Sequence, residues 1–186
     1  MSQMRDSAKS AEWVAKMASM GIDTTGVLGR QPAELSSDDL RAFMVWHRGL
    51  AVPAARNLDD PEVAEGRQLF YQAKCHECHK PSWTTGEYEY LPGLAGQKIW
   101  PYTDLLRHDL GEINHGRYAK FRTTPLWGRG LMAICANHTD MFHDLRARNF
   151  EEAVLWHFGE ALESREIFRN LNREQRVALL KFLEAI

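Results

Sequence analysis

Apolar residues recur along this chain at helical spacing far more often than they alternate. Leu40, Phe43, Met44 and His47 share one face behind Ser36 and Asp39, which have the spacing of a capping box. Gly49 and Pro53 close that helix. The run "DDPEVAEGRQLFYQAKCHECH" opens with Pro61 at the first helical turn and carries Val63, Leu69, Phe70 and Ala73 on its apolar side. Asn149, with Glu152 three residues on, predicts another helix start, and Phe150, Ala153, Val154 and His157 follow at i, i+3, i+4 and i+7 before Gly159. Asn172 and Gln175 start the last helix in the same way, with Val177, Leu180, Phe182 and Leu183 on its buried side. Residues 11–20 read as a short helix ended by Gly21, and residues 22–36 as a loop.

The middle of the chain breaks this rhythm. Residues 80–98 are rich in Pro and Gly and read as a loop; "PYTDLLRHD" predicts a short helix over 101–108; residues 111–145 are irregular. A long irregular stretch inside a small domain is often functional. The expected fold is mainly α, with long irregular loops. Residues 1–35 form an N-terminal extension and residues 36–186 the domain.

"CHECHKP" holds two of the three cysteines, with Cys75, Cys78 and His79 in the C-x-x-C-H pattern that attaches a c-type haem. The expected fold is thus a haem-binding domain of the cytochrome c type, whose large flat ring offers the irregular loops an apolar face to pack against. Thiols three residues apart on a helical turn face the same way and can each form a thioether with one ring, and the next histidine can ligate the iron. His76 and Glu77 are expected to face water. The same cysteine spacing serves zinc half-sites and redox dithiols. No second C-x-x-C or H-x-x-x-H is present, and the preceding segment reads as helix where a redox dithiol would follow a strand. Cys135 is expected to be a small buried apolar residue.

Composition narrows the partners. With 186 residues, 44% apolar, the chain can build one packed core. A net charge of −2 and no basic stripe exclude nucleic acid as the expected partner, and no apolar run approaches a membrane span. "MSQMRDSAKS" has no signal-like apolar core. Haem c is attached outside the bacterial inner membrane, so the expectation is a periplasmic or otherwise exported protein whose export signal lies outside this sequence.

His79 covers one side of the iron. The opposite ligand is open among His47, His108, His115, His138, His143, His157 and several methionines. His157 and His47 stand out because each sits on the apolar stripe of a helix. For either one, an ordinary buried histidine bonded to a carbonyl is an equal alternative.

The blocks "EGRQLFYQAKCHECHKP", "PYTDLLRHDLG", "FRTTPLWGRGL", "FHDLRARNFEEAVLWHFGEA" and "FRNLNREQRVALLKFLEAI" together resemble the di-haem oxidoreductase, or thiol-oxidoreductase-like, family. That family is related to the bacterial di-haem cytochrome c peroxidases and to the di-haem enzyme that matures methylamine dehydrogenase. The likeness covers residues 40–186 and corresponds to the C-terminal haem domain. In those relatives the second axial ligand, Met or Tyr, lies at the position matching His157. The resemblance thus implies one covalent haem c between His79 and His157. It also implies a redox partner protein or a second haem domain as the electron-exchange partner. Two features depart from the pattern. One C-x-x-C-H motif is present where the family has two, and Leu145 replaces a glycine in "HDLRA". The relatives' interdomain calcium is left without support here.

Around the haem, Arg122, Arg146 and Arg148 are candidates for its propionates. His108 and Asp109 are candidates for an outer hydrogen-bonded pair. Trp83, Trp100, Tyr102, Trp127 and Trp156 are read as packing, with electron conduction as the alternative. Glu151 and Glu152 suit a helix N-terminus. Three functions follow: an electron-transfer haem domain, a stand-alone haem peroxidase using His138 or His143 with Glu160, or a haem-free interaction domain.

Overall fold

A computed structural model describes residues 15–22, 35–111 and 120–186. Helices dominate, with two small antiparallel sheets. Among the described residues no helix is long and apolar enough to cross a membrane. The chain divides into two compact units, Met1–Leu50 and Ala51–Ile186.

In the first unit, residues 15–19 are helical and Gly21 follows in the left-handed region, as expected. The remainder of the expected 11–20 helix and most of the 22–36 loop lie outside the described residues. Helix α1, Ser37–Arg48, starts where its capping pair requires: the Ser36 side chain accepts from Asp39 N, and Gly49 closes the helix. Its Leu40, Phe43 and Trp46 are all exposed.

The second unit is built on two crossed helices. Helix α2, Pro61–Gln72, is capped by the Asp60 carboxylate accepting from Glu62 N. The last helix, Arg173–Ala185, begins with a reciprocal Asn172–Gln175 capping box. They meet so closely that any Cβ on Gly66 would overlap the Ala178 carbonyl and Phe182. This contact rotates the buried stripe of the last helix from the expected one. Ala178, Leu179, Phe182 and Leu183 are buried, whereas Val177 is 47% exposed. Phe70, Tyr102 and Phe182 pack edge to face at 5.4–5.9 Å around the crossing.

Between these helices the chain forms hairpins. Strand β1 (Trp83–Thr84) pairs with β2 (Lys98–Ile99), and β3 (Arg107–Asp109) pairs with β4 (Lys120–Arg122). The expected 101–108 helix is absent. Tyr102 and Leu105 have positive φ, and the segment instead runs beside residues 78–81. Thr103 explains the choice. It is fully buried and its polar groups are used across the chain. Its N donates to Lys80 O, its carbonyl accepts from Trp83 Nε1, and its hydroxyl donates to Thr123 O and accepts from Leu105 N. Unpaired, such buried groups would each be costly, so these bonds outweigh local helix propensity.

Helices α3 (Met132–Ala136), α4 (Phe150–Leu155) and α5 (Leu162–Asn170) complete the unit with the last helix, α6. The Asn149 side chain accepts from Glu152 N at the start of α4, as expected. Cys135 is exposed rather than buried, because α3 is a short surface helix whose neighbour Ile134 is 81% exposed.

Gly66→Ala tests the crossing. Its methyl group has to push two main chains apart, at a cost of about 3 kcal/mol. Urea unfolding of the variant is expected to show a markedly lower midpoint; an unchanged midpoint would contradict this packing.

Candidate functional site

Helix α2 ends at Gln72, before the cysteine motif. Lys74 then takes a left-handed conformation, and Cys75–Glu77 form a separate 3-10 turn. In such a turn residues i and i+3 eclipse, which keeps the two thiols on one side. Glu77 faces water as expected, but His76 is half-buried against Tyr71, with its Nδ1 buried and unpartnered among the described residues.

Cys75, Cys78, His79 and His157 line one cavity of about 300 Å³. Its remaining wall is largely apolar, including Phe70, Leu126, Val154 and Leu179. A hollow of about 350 Å³ beside Arg67 and Tyr71 is lined by neither thiol nor imidazole.

The two imidazoles are oriented alike. His79 Nδ1 lies 3.0 Å from Tyr102 O, and His157 Nδ1 lies 2.7 Å from Ala153 O. A carbonyl only accepts, so each Nδ1 carries the proton and each Nε2 keeps a free lone pair. The ring centroids are 6.4 Å apart. Two imidazoles ligating one metal from opposite sides, with metal–nitrogen bonds of about 2.0 Å, place their centroids roughly 6.3 Å apart. The donor set and its spacing therefore fit an iron held between two imidazoles. His157 lies just beyond α4, after the Trp156 cap, rather than within the helix as expected. It still faces the cavity, with Phe142 edge-on at 5.4 Å.

Burial, and then the neighbouring His157, hold His79 down to about 4; burial also lowers His157. Burial pushes the Cys75 thiol up to about 12. Burial, and then Asp104, Glu160 and Glu77, raise Cys78. Redox dithiols depend on a depressed thiol pKa, so these thiols are poorly suited to that chemistry.

The other candidates separate. His108 does not pair with Asp109. Its Nε2 is 2.6 Å from Asp104 and its Nδ1 2.8 Å from Glu160. Glu160 reaches it because Gly159, at positive φ, packs against the β3 main chain, where any side chain would overlap Asp109 O. His138 and His143 line the cavity, and His143 stacks on Phe121 at 4.6 Å. His47 lies exposed on α1 in the first unit, and His115 lies outside the described residues. Of the arginines, Arg122 lines the cavity, whereas Arg146 pairs with Asp144 and Arg148 with Glu152. Arg129 and Arg165 also line it, although neither had a sequence signal. Among the aromatic residues, Trp100 is exposed, while three others make contacts. Trp83 donates to Thr103 O beneath Lys80, Tyr102 is in the core, and Trp156 lies against Arg146.

The two low imidazoles set a pH dependence. Unfolded, His79 takes up a proton near its ordinary value of 6.5; folded, it resists down to about 4. The unfolded state thus binds more protons in that window, and stability falls as pH drops through it. His108, whose pKa is raised by Glu160 and Asp104, acts with the opposite sign. In the ligand-free chain, His79→Gln is expected to flatten the fall of the thermal midpoint between pH 6.5 and 4. An equal fall in both proteins would contradict it.

A family model described as "Di-haem oxidoreductase, putative peroxidase" matches residues 8–186. No curated protein and no solved structure matches the chain. A match over nearly the whole sequence is specific, and haem is the cofactor of that family. The chain belongs to the di-haem oxidoreductase family.

Proposed function

We propose that the second unit is a cytochrome c-like electron-transfer domain. Cys75 and Cys78 hold one covalent haem c, and His79 and His157 supply its two axial nitrogens. The observation that carries this reading is the pair of imidazoles, each with Nδ1 turned to a carbonyl and their ring centroids 6.4 Å apart, on the wall of a cavity that both thiols also line. Haem bound there supplies one-electron chemistry, and a second imidazole closes the iron to small ligands. Tyr102 O and Ala153 O fix each ring and increase its basicity by accepting its Nδ1 proton. Arg122 and Arg129 are guanidinium groups on the cavity wall that would face the propionates, while Arg165, also on the wall, pairs with Glu166. Export to the periplasm and exchange of electrons with a partner protein or second haem domain complete the proposal.

Attachment is tested after expression with cytochrome c maturation machinery and export. The denatured protein should retain haem-dependent peroxidase staining on a gel, and the Cys75→Ala, Cys78→Ala double variant should lose it. Staining retained by the double variant would refute thioether attachment.

The distal ligand is tested by His157→Gly. It should convert a low-spin iron toward high spin, admit small ligands and raise peroxide turnover, while His47→Gly leaves the spectrum unchanged. A His157→Gly protein that stays low-spin would remove His157 from the site.

A further inference from the structure

We propose that Cys78, Asp104 and His108 form a binding site for one divalent transition metal of the zinc class in the haem-free chain, with Glu160 positioning His108. The three ligand atoms, one thiol sulfur, one carboxylate oxygen and one imidazole nitrogen, lie within 4.8 Å of one another. Ligands around a tetrahedral zinc, at about 2.0–2.3 Å from the metal, are roughly 3.3–3.8 Å apart. Small side-chain rotations therefore close the set. This is the mixed sulfur, nitrogen and oxygen donor set that zinc accepts, with a fourth position left for water.

The site is built rather than accidental. Asp104 N donates to Cys78 O at 2.8 Å, which fixes the two residues side by side. Asp104 Oδ1 accepts from Leu106 N at 2.9 Å, leaving Oδ2 turned toward His108. His108 Nδ1 faces Glu160 Oε2 at 2.8 Å, so a proton there leaves Nε2 as the ligand atom. Metal-ligating histidines characteristically have such a carboxylate behind them. Glu160 is itself held by Asp109 N at 3.0 Å and by Lys120 at 3.4 Å. His108 Nε2 and Asp104 Oδ2 face each other 2.6 Å apart, and a cation entering between them displaces any proton they share to solvent. The side chains of Asp104 and His108 are only 11% and 19% exposed, and Glu160 behind them, at 43%, is the member of the cluster that reaches solvent.

The field has the right sign. Asp104 and Glu160 place carboxylates on the two sides of His108, at 2.6 and 2.8 Å, so a cation held by Cys78, Asp104 and His108 sits among negative charges while the thiol gives its proton to solvent. The sites for metal and haem share one sulfur. If the haem-attachment reading above holds, Cys78 cannot be both a metal thiolate and a thioether, and bound metal protects the chain from attachment.

The test uses the full chain, reduced and expressed without haem-attachment machinery, titrated with Co²⁺. One equivalent should bring up a thiolate-to-cobalt charge-transfer band that Zn²⁺ abolishes by displacement. Cys78→Ser should lose the band and Cys75→Ser retain it. Asp104→Asn, His108→Gln and Glu160→Gln should each weaken binding by about tenfold or more while circular dichroism stays native. In the unmodified chain, Zn²⁺ should slow alkylation of Cys78 by iodoacetamide and leave exposed Cys135 unaffected, a readout that needs no variant. No band, or a band that needs Cys75 and ignores Asp104 and His108, would overturn the proposal. Failure of haem attachment would leave the cobalt band in place, and failure of the cobalt band would leave haem staining in place, so the two ideas fall separately.

Discussion

His79 and His157 each give their Nδ1 proton to a main-chain carbonyl, and this turns two free Nε2 lone pairs into one apolar cavity. The two rings, whose centroids lie 6.4 Å apart, turn their Nδ1 sides to the main chain and leave their Nε2 sides to the cavity between them. The rest of the second unit can be understood as the frame that tolerates this arrangement. The Tyr102 carbonyl that fixes His79 is positioned because Tyr102 is clamped by Phe70 and Phe182 at the α2–α6 crossing. The Ala153 carbonyl that fixes His157 belongs to α4, whose start is set by Asn149. One imidazole therefore depends on tertiary packing and the other on a local cap.

Thr103 links the frame to the cysteine motif. Its four hydrogen bonds join the segment after His79, the β1 tryptophan and the end of β4, and Thr103 itself is fully buried. The next residue, Asp104, is thereby delivered to Cys78 and His108. The same backbone track thus brings the cysteine motif both to the imidazoles and to the Asp104–His108–Glu160 cluster, whose His108 and Glu160 line the same cavity.

Much of this was legible in the sequence where the signal is local. The caps at Ser36, Asn149 and Asn172 lie where their side-chain spacing puts them, and Cys75, Cys78 and His79 are adjacent by the motif alone. His157 needed only the periodicity of α4 and the family likeness to be singled out. What escaped depends on distant chain segments. The 101–108 segment has a helical apolar pattern, yet Thr103 finds its partners twenty residues away on either side. His108 meets Glu160 across 52 residues of chain, and no spacing rule reports that. Val177 outranks Ala178 in hydrophobicity, but the bare backbone of Gly66 selects the smaller residue for burial. Cys135 is apolar enough for a core and lies on a helix that has none to face.

The most direct test of the central claim is near-infrared magnetic circular dichroism of the oxidised, unmodified haem-bearing protein. Its charge-transfer band reports both axial ligands at once. The account predicts the position characteristic of two imidazoles on a low-spin iron. A band at the imidazole–thioether position, or the spectrum of a high-spin iron with an open face, would contradict it.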